Sequence, residues 1–103
     1  MLKNVNVEEF KKIQAEEKLF VADFWATWCG PCKALTPILE SVAEELAEIP
    51  FVKVDVDDNE ELAREYNIMT VPSLLVFKNG ELVDKSIGLI SKEQLIALVH
   101  KHM

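Results

Sequence analysis

The stretch VADFWATWCGPCK, residues 21–33, decides how this sequence is interpreted. It holds the only two cysteines of the 103-residue chain, both of its tryptophans and an aspartate, Asp23. The run LFVADFWA, residues 19–26, is apolar apart from that aspartate, which predicts a central strand covered on both faces. The reactive side chains therefore lie where a buried strand ends and the next element begins.

The two cysteines, Cys29 and Cys32, are three residues apart at the predicted start of a helix. Pro31 suits a first helical turn because its missing N–H would have no partner there, and Gly30 allows a tight turn. Residues i and i+3 of a helix lie about 5–6 Å apart, a distance that a disulfide can bridge. Cys29 precedes the helix, where free N–H groups and the helix dipole favour a thiolate. We expect Cys29 to be the nucleophile and Cys32 the resolving thiol.

Two other uses of the cysteine pair fit less well. A disulfide that closes a loop of about four residues stabilises a fold by only about 2 kcal/mol, and a reducing compartment would keep it open. A zinc site would need His100 and His102 as further ligands, but their spacing is not that of a zinc finger. We expect no bound metal or cofactor, and a redox-active disulfide between Cys29 and Cys32.

Outside this stretch, two capping boxes mark helix starts. Asn6 and Glu9 precede a predicted helix at residues 7–16, and Ser91 and Gln94 precede a last helix. Helical spacing also follows the cysteines, in the apolar series Leu35, Ile38, Leu39, Val42, Ala43 and Leu46.

Pro50 is expected to mark the end of the helix after the cysteines. FVKVDV, residues 51–56, is typical of a strand. NEELAREY, residues 59–66, indicates a short helix with Asn67 as a left-handed cap.

The segment LLVFKNGELVDKSI predicts two strands joined at Asn79-Gly80, a pair that favours a type I′ turn, and Gly88 ends the second strand. The resulting order is β α β α β α β β α. It predicts a single α/β domain, residues 1–103, with a mixed sheet and helices on both faces.

The charge balance limits the partners. Eleven Lys and Arg against 18 Asp and Glu give a net charge of −7, which disfavours binding to nucleic acid. No apolar run reaches the roughly 18 residues of a membrane span. The start MLKNVNVEEF lacks the apolar segment of a secretory signal, so we expect a cytoplasmic protein with no membrane association.

WCGPCK, preceded by VADFWA and followed by VPSLLVFKNGE and Gly88, resembles the thioredoxin family almost from end to end. The resemblance implies a thioredoxin fold, a five-stranded mixed sheet with four helices. It also implies a general protein-disulfide reductase that maintains cell redox homeostasis. The expected partners are disulfide-containing client proteins and thioredoxin reductase, an NADPH-dependent flavoenzyme. The protein is expected to act as a monomer.

The resemblance also implies roles for single residues. Gly30 and Pro31 would set the redox poise of the cysteine pair. The substrate-binding surface would consist of Trp28, Thr70, Val71, Pro72 and Gly88, with Val71-Pro72 in the place of the family's cis-proline loop. A client backbone can pair there as an extended strand. Thr70 and Asn67 stand where many relatives have glycine. Thr70 could narrow the substrate groove, which leaves client preference open but not the chemistry.

Asp23 is a candidate for proton transfer. It lies in a strand that we expect to be buried, and burial raises the pKa of an unpaired carboxyl group. Cys32 must lose a proton before it attacks, and relatives carry a buried aspartate at this place with that proposed role. Lys53 matches the lysine beside it and would tune it. Alternatively, Asp23 accepts backbone hydrogen bonds, and Lys53 extends to solvent.

Two other functions remain possible from the sequence. A secreted oxidase or isomerase would use the same fold, but the Gly-Pro pair and the missing signal segment argue against it. A docking module would use the fold to bind a partner, with redox activity incidental.

Overall fold

The computed structural model describes residues 2–103. Its elements are β1 (Lys3–Asn4), α1 (Val7–Glu16), β2 (Leu19–Trp25), α2 (Gly30–Glu45), β3 (Phe51–Asp55), α3 (Glu60–Glu65), β4 (Ser73–Lys78), β5 (Glu81–Ile87) and α4 (Lys92–His100). This order is the one predicted from the sequence.

The five strands form one mixed sheet in the order β1-β3-β2-β4-β5. Strand β3 runs parallel to β1 and β2, whereas β4 runs antiparallel to β2 and β5. Strand β2 is central, which explains its continuous apolar run. The predicted thioredoxin fold is therefore confirmed.

Helices cover both faces of the sheet and enclose two separate cores. On one face, α1 and α3 pack over Val5, Phe10, Phe20, Phe24, Val54, Leu62, Leu75 and Phe77. On the other, α2 and α4 pack over Val21, Leu35, Leu39, Val42, Leu74, Val76, Leu95 and Val99. Side chains alternate along a strand, so Asp23 lies on the same face as Val21, beneath α2. Lys53 shares that face because Phe51, two residues earlier, belongs to the second core.

The local signals formed as predicted. Both capping boxes are complete. Asn79 and Gly80 have φ values of +53° and +81°, as a type I′ turn requires, and Asn67 has a φ of +53°. Gly88, directly after β5, has a φ of +92°, a conformation that favours glycine.

Some boundaries differ from the predicted ones. Helix α2 ends at Glu45, before Pro50, because Ile49 N–H donates to the carbonyl of Leu46 in a turn. Strand β1 has only two residues and had no assigned place in the sequence.

Candidate active site at the start of helix α2

The cysteine pair lies at the N-terminus of α2. Cys29 is the N-cap, with an extended backbone (φ −94°, ψ 110°), and Gly30 and Pro31 open the helix. Its Sγ accepts a hydrogen bond from the backbone N–H of Cys32 at 3.1 Å. The two sulfurs are joined in a disulfide, with Cα atoms 5.3 Å apart. This is the helix-start geometry that the spacing predicted, and the same N–H is available to a Cys29 thiolate.

The two sulfurs differ in their surroundings. Both cysteines are almost fully buried, Cys29 with 4% of its surface exposed and Cys32 with 1%. They pack with Ala26, and Val71 lies against this small cluster. The Sγ of Cys29 is 3.7 Å from the carbonyl oxygen of Val71. Cys29 is therefore the more accessible of the two sulfur-bearing residues, and it lies against the Val71 loop.

The loop from Thr70 to Pro72 borders the cysteines. The Val71-Pro72 peptide bond is cis, as the resemblance implied. The backbone N–H of Gly88 donates to the carbonyl of Pro72 at 2.8 Å, and Ser73 Oγ donates to the carbonyl of Thr70 at 2.6 Å. These bonds hold the loop from both sides, so the residues that the sequence assigned to one surface do lie together.

A groove adjoins the loop. Its volume is about 320 Å³, and its lining is formed by Trp28, Val56, Ile68, Met69, Thr70 and Val71. Trp28 is 70% exposed and Met69 is 92% exposed, which is unusual for large apolar side chains. Exposed apolar surface beside a reactive disulfide is typical of a site that binds other proteins.

Asp23 lies on the face of β2 that α2 covers, with 1% of its surface exposed. Neither carboxyl oxygen has a hydrogen-bond partner among residues 2–103. Burial therefore raises the pKa of Asp23 to about 7, while the nearby charge of Lys53 acts to lower it. The alternative in which backbone hydrogen bonds hold Asp23 is wrong, since no backbone N–H in the described chain reaches it.

Lys53 is the neighbour of Asp23 in the β2–β3 pairing. Its Nζ lies 4.2 Å from the ring centroid of Trp25 and donates a hydrogen bond to Thr36 Oγ1 at 3.2 Å. The Thr36 hydroxyl in turn donates to the carbonyl of Cys32 at 3.2 Å. Lys53 is thus bound on two sides rather than extended freely into solvent. The sequence analysis did not identify Thr36, and no local pattern marks it.

Two hydrogen bonds of the tryptophans were also missed. Trp28 Nε1 donates to Asp57 Oδ2 at 3.0 Å, and Trp25 Nε1 donates to Asn4 Oδ1 at 2.8 Å. The parallel pairing of β2 with β3 offered a signal for the first. The carboxyl ends of parallel strands meet at one edge of the sheet, which brings Trp28 close to Asp57.

The histidines take no part in the site. His102 Nε2 lies 2.8 Å from Asp84 Oδ2, and His100 lies in the last turn of α4. Within residues 2–103, no three His, Cys, Asp or Glu side chains are grouped as a metal site requires. In the same range, none of the helices is long and apolar enough to span a membrane.

Comparison with known proteins gives a consistent result. The Thioredoxin family model matches residues 1–101. The thioredoxin of Bacillus subtilis (strain 168) is 47% identical over 91 residues, which cover 87% of this chain and 88% of that protein. The thioredoxin of Listeria monocytogenes serovar 1/2a is 40% identical over 104 residues, with complete coverage of both chains.

A solved structure agrees in detail. The fold superimposes on Plasmodium falciparum thioredoxin with a TM-score of 0.92 and 36% sequence identity, covering 99% of this chain and 100% of that one. Members of this family are protein-disulfide oxidoreductases that cycle between a dithiol and a disulfide. The Cys29–Cys32 disulfide occupies the place of that redox centre. With its sequence, fold and cysteine geometry in agreement, the chain belongs to the thioredoxin family.

Proposed function

We propose that this protein is a general protein-disulfide reductase in which Cys29 attacks the disulfide of a client and Cys32 releases the product. The observation that carries the proposal is the disulfide at the start of α2, above the face of β2 that holds a buried, unpaired Asp23. A purely structural disulfide has no need of a proton-transfer group.

In the first step, the thiolate of Cys29 attacks one sulfur of the client disulfide. A mixed disulfide forms, and the other client sulfur leaves as a thiolate. The position of Cys29 at the helix N-cap supports this assignment, because the Cys32 N–H and the helix dipole stabilise negative charge on its sulfur. Gly30 and Pro31, which fix the turn between the sulfurs, are proposed to set the redox poise.

In the second step, Cys32 attacks the sulfur of Cys29. The Cys29–Cys32 disulfide forms, and the second client sulfur leaves with its electron pair. Cys32 must first lose its proton, and Asp23 is proposed to accept it. A carboxyl group with a pKa of about 7 is suited to this exchange at neutral pH. Lys53 is proposed to tune Asp23 by its charge.

The client is proposed to bind over Trp28, Thr70, Val71, Pro72 and Gly88. Trp28 contributes exposed apolar area, and the Thr70–Pro72 loop presents backbone next to Cys29. An extended client segment can pair with such a backbone as an added strand. Thr70 is exposed and lines the groove, so it is proposed to influence client choice.

Turnover requires that the disulfide be reduced again. We propose that an NADPH-dependent thioredoxin reductase supplies the two electrons, and that the protein acts as a monomer with no bound cofactor. A compartment that keeps thiols reduced, such as the cytoplasm, suits this direction of transfer.

Mixed-disulfide trapping tests the proposal. A Cys32→Ser variant, once reduced, should hold clients covalently on Cys29, whereas Cys29→Ser should hold none. Equal trapping by both variants would contradict the assigned order of attack. The absence of any trapped client on a demonstrably reduced Cys29 would remove the reductase function itself.

Replacing both cysteines by serine separates this function from that of a docking module. A reductase loses its cellular role in the double variant, and a docking module keeps it. The single variants serve as matched controls, because each retains the same backbone around the groove.

A further inference from the structure

A hydrogen-bonded series links Lys53, Thr36 and the backbone of Cys32. We propose that Thr36 is a positioning residue: its hydroxyl holds the Lys53 ammonium near the buried carboxyl group of Asp23 and thereby sets the pH range of proton exchange with Cys32. The last clause of this proposal rests on the proposed function of Asp23, whereas the positional part does not.

The contacts of Lys53 carry the first step. Its Nζ donates to Thr36 Oγ1 at 3.2 Å and lies 4.2 Å from the ring centroid of Trp25. Within residues 2–103, Lys53 forms no direct ion pair, although Asp23 is its neighbour across the β2–β3 pairing. Two uncharged groups, a hydroxyl and an indole ring, therefore determine where the ammonium lies.

The orientation of the hydroxyl carries the second step. Thr36 Oγ1 donates its proton to the carbonyl of Cys32, four residues earlier, at 3.2 Å. A hydroxyl has one proton to donate and two lone pairs to accept with. With its proton directed at the helix backbone, the oxygen presents a lone pair to Lys53. A β-branched side chain also has few rotamers in a helix, so the acceptor stays in place.

The surroundings of Asp23 carry the third step. From β3 it faces Lys53, and α2 covers the sheet face on which it lies with the apolar side chains of Leu35 and Leu39. Opposite it on β4 lies Leu74, which is apolar, and α4 contributes Leu95 and Val99 to the same core. Lys53 is the charged group whose field acts on Asp23, and it lowers the pKa that burial raises. A change in the position of Lys53 therefore changes the proton affinity of Asp23.

The expected effect has a defined sign. Without the hydroxyl, the ammonium loses its acceptor and moves outward, where water solvates it. We take an ammonium several ångströms from the carboxylate and an effective dielectric constant of about 20. Moving that ammonium about 2 Å further away then raises the carboxyl pKa by about half a unit. Thr36→Val should therefore raise the pKa of Asp23 by about half a unit. Thr36→Ser keeps the hydroxyl and should restore the wild-type value.

The test is an NMR titration of the Asp23 carboxyl carbon in the oxidised protein. In this form the two cysteines do not titrate, so their protons are not coupled to that of Asp23. An upward shift in Thr36→Val, absent in Thr36→Ser, supports the proposal. An unchanged pKa in Thr36→Val, or an equal shift in Thr36→Ser, overturns it. Thr36→Ala replaces Thr36→Val if the latter does not fold.

A double-variant cycle tests whether the effect passes through Lys53. In a Lys53→Met background the ammonium is absent, so Thr36→Val should no longer change the pKa of Asp23. A shift that persists in this background overturns the proposal, because Thr36 would then act on Asp23 by another route.

Kinetics separate this inference from the function on which it partly rests. The rate at which Cys32 resolves a mixed disulfide should follow a pH profile shifted upward by the same half unit in Thr36→Val. An unshifted profile overturns the catalytic part of the inference. A wild-type protein that reduces no protein disulfide contradicts the proposed function instead, and the NMR titration still decides the position of Lys53.

Discussion

Trp28 and Asp57 are joined across the edge of the active site by a hydrogen bond of 3.0 Å from the indole Nε1 to Oδ2. The bond fixes the orientation of an aromatic ring that is otherwise 70% exposed. A large side chain that is held in place loses little conformational entropy when a client binds it. If clients bind over Trp28 as proposed, Asp57 is expected to favour their binding without touching the sulfurs.

Asp57→Ala should therefore raise the KM for a protein disulfide about fivefold, with kcat nearly unchanged. The estimate corresponds to about 1 kcal/mol for the net loss of one hydrogen bond to a charged group that is partly in water. Asp57→Asn retains an oxygen acceptor and serves as the control. Steady-state reduction of a protein disulfide measures both constants, and a fall in kcat alone would contradict the assigned role.

Removal of the buried carboxyl group should change the pH dependence of stability. The pKa of Asp23 is about 7 in the folded protein and lies near 4 when the chain is unfolded. Between these values the unfolded chain ionises and the folded one does not, so stability falls as pH rises from 4 to 7. A raised pKa of about three units corresponds to about 4 kcal/mol.

Asp23→Ala should lack this slope. At pH 8 we expect it to be more stable than the wild type by about 3 kcal/mol, after subtracting a cavity cost of about 1 kcal/mol. At pH 4 only the cavity cost remains, so the variant should be the less stable of the two. Denaturant unfolding of the oxidised proteins at both pH values measures the reversal. If the stabilities of the wild type and Asp23→Ala changed equally between pH 4 and pH 8, Asp23 would ionise at the same pH in the folded and unfolded chains.

After reduction of the disulfide, the thiols of Cys29 and Cys32 should ionise at different pH values. The dipole and free N–H groups of a helix start are worth up to about 2 kcal/mol, or about 1.5 pKa units. The helix start is therefore expected to lower the pKa of the Cys29 thiol below that of an ordinary free cysteine. Thiolate absorbance in Cys32→Ser isolates the titration of Cys29, and Cys29→Ser isolates that of Cys32. Two titrations at the ordinary value would argue against helix-start activation.

The end of the chain should contribute acid-sensitive stability. Asp84 accepts a hydrogen bond from His102 at 2.8 Å and lies 3.1 Å from the Lys101 Nζ. The contact with His102 is the main reason that the pKa of Asp84 falls to about 2, and the Asp84 side chain is 22% exposed. A lowered folded pKa gives stability that is present above the unfolded value near 4 and is lost as pH falls towards 2.

Asp84→Asn should therefore lower the free energy of unfolding by about 1 kcal/mol at pH 7, allowing for solvent screening. The difference should vanish near pH 2. Asp58→Asn provides a control, since Asp58 is exposed and has no ion pair within the described chain. A loss that is the same at both pH values would point to packing rather than charge.

Features encoded within a few residues were predictable from the sequence. The Asn6–Glu9 capping box formed because both partners lie within one turn. The Asn79-Gly80 turn formed because few other pairs accept positive φ at both positions. The unusual state of Asp23 also followed locally, since an isolated carboxyl group in an apolar strand has few ways to be satisfied.

Features that depend on distant elements were not predictable. The acceptor of Lys53 is Thr36, and it depends on how α2 lies over β3 rather than on either segment alone. For Trp28 and Asp57, the parallel pairing of β2 with β3 predicts only that they lie at the same edge of the sheet, and the bond itself depends on the register of the two strands. The end of α2 at Glu45 was predicted wrongly for a local reason, since a turn between Leu46 and Ile49 follows the helix before Pro50 is reached.

The short distance between Cys29 and Cys32 limits how strongly the oxidised and reduced forms of the protein can differ in structure. Their Cα atoms are 5.3 Å apart, which is the ordinary separation of residues one helical turn apart. Forming or breaking the disulfide therefore requires no backbone rearrangement. We therefore expect the oxidised and reduced forms of the protein to have nearly the same backbone structure. A partner protein that distinguishes the two forms must therefore recognise the thiols or the disulfide directly.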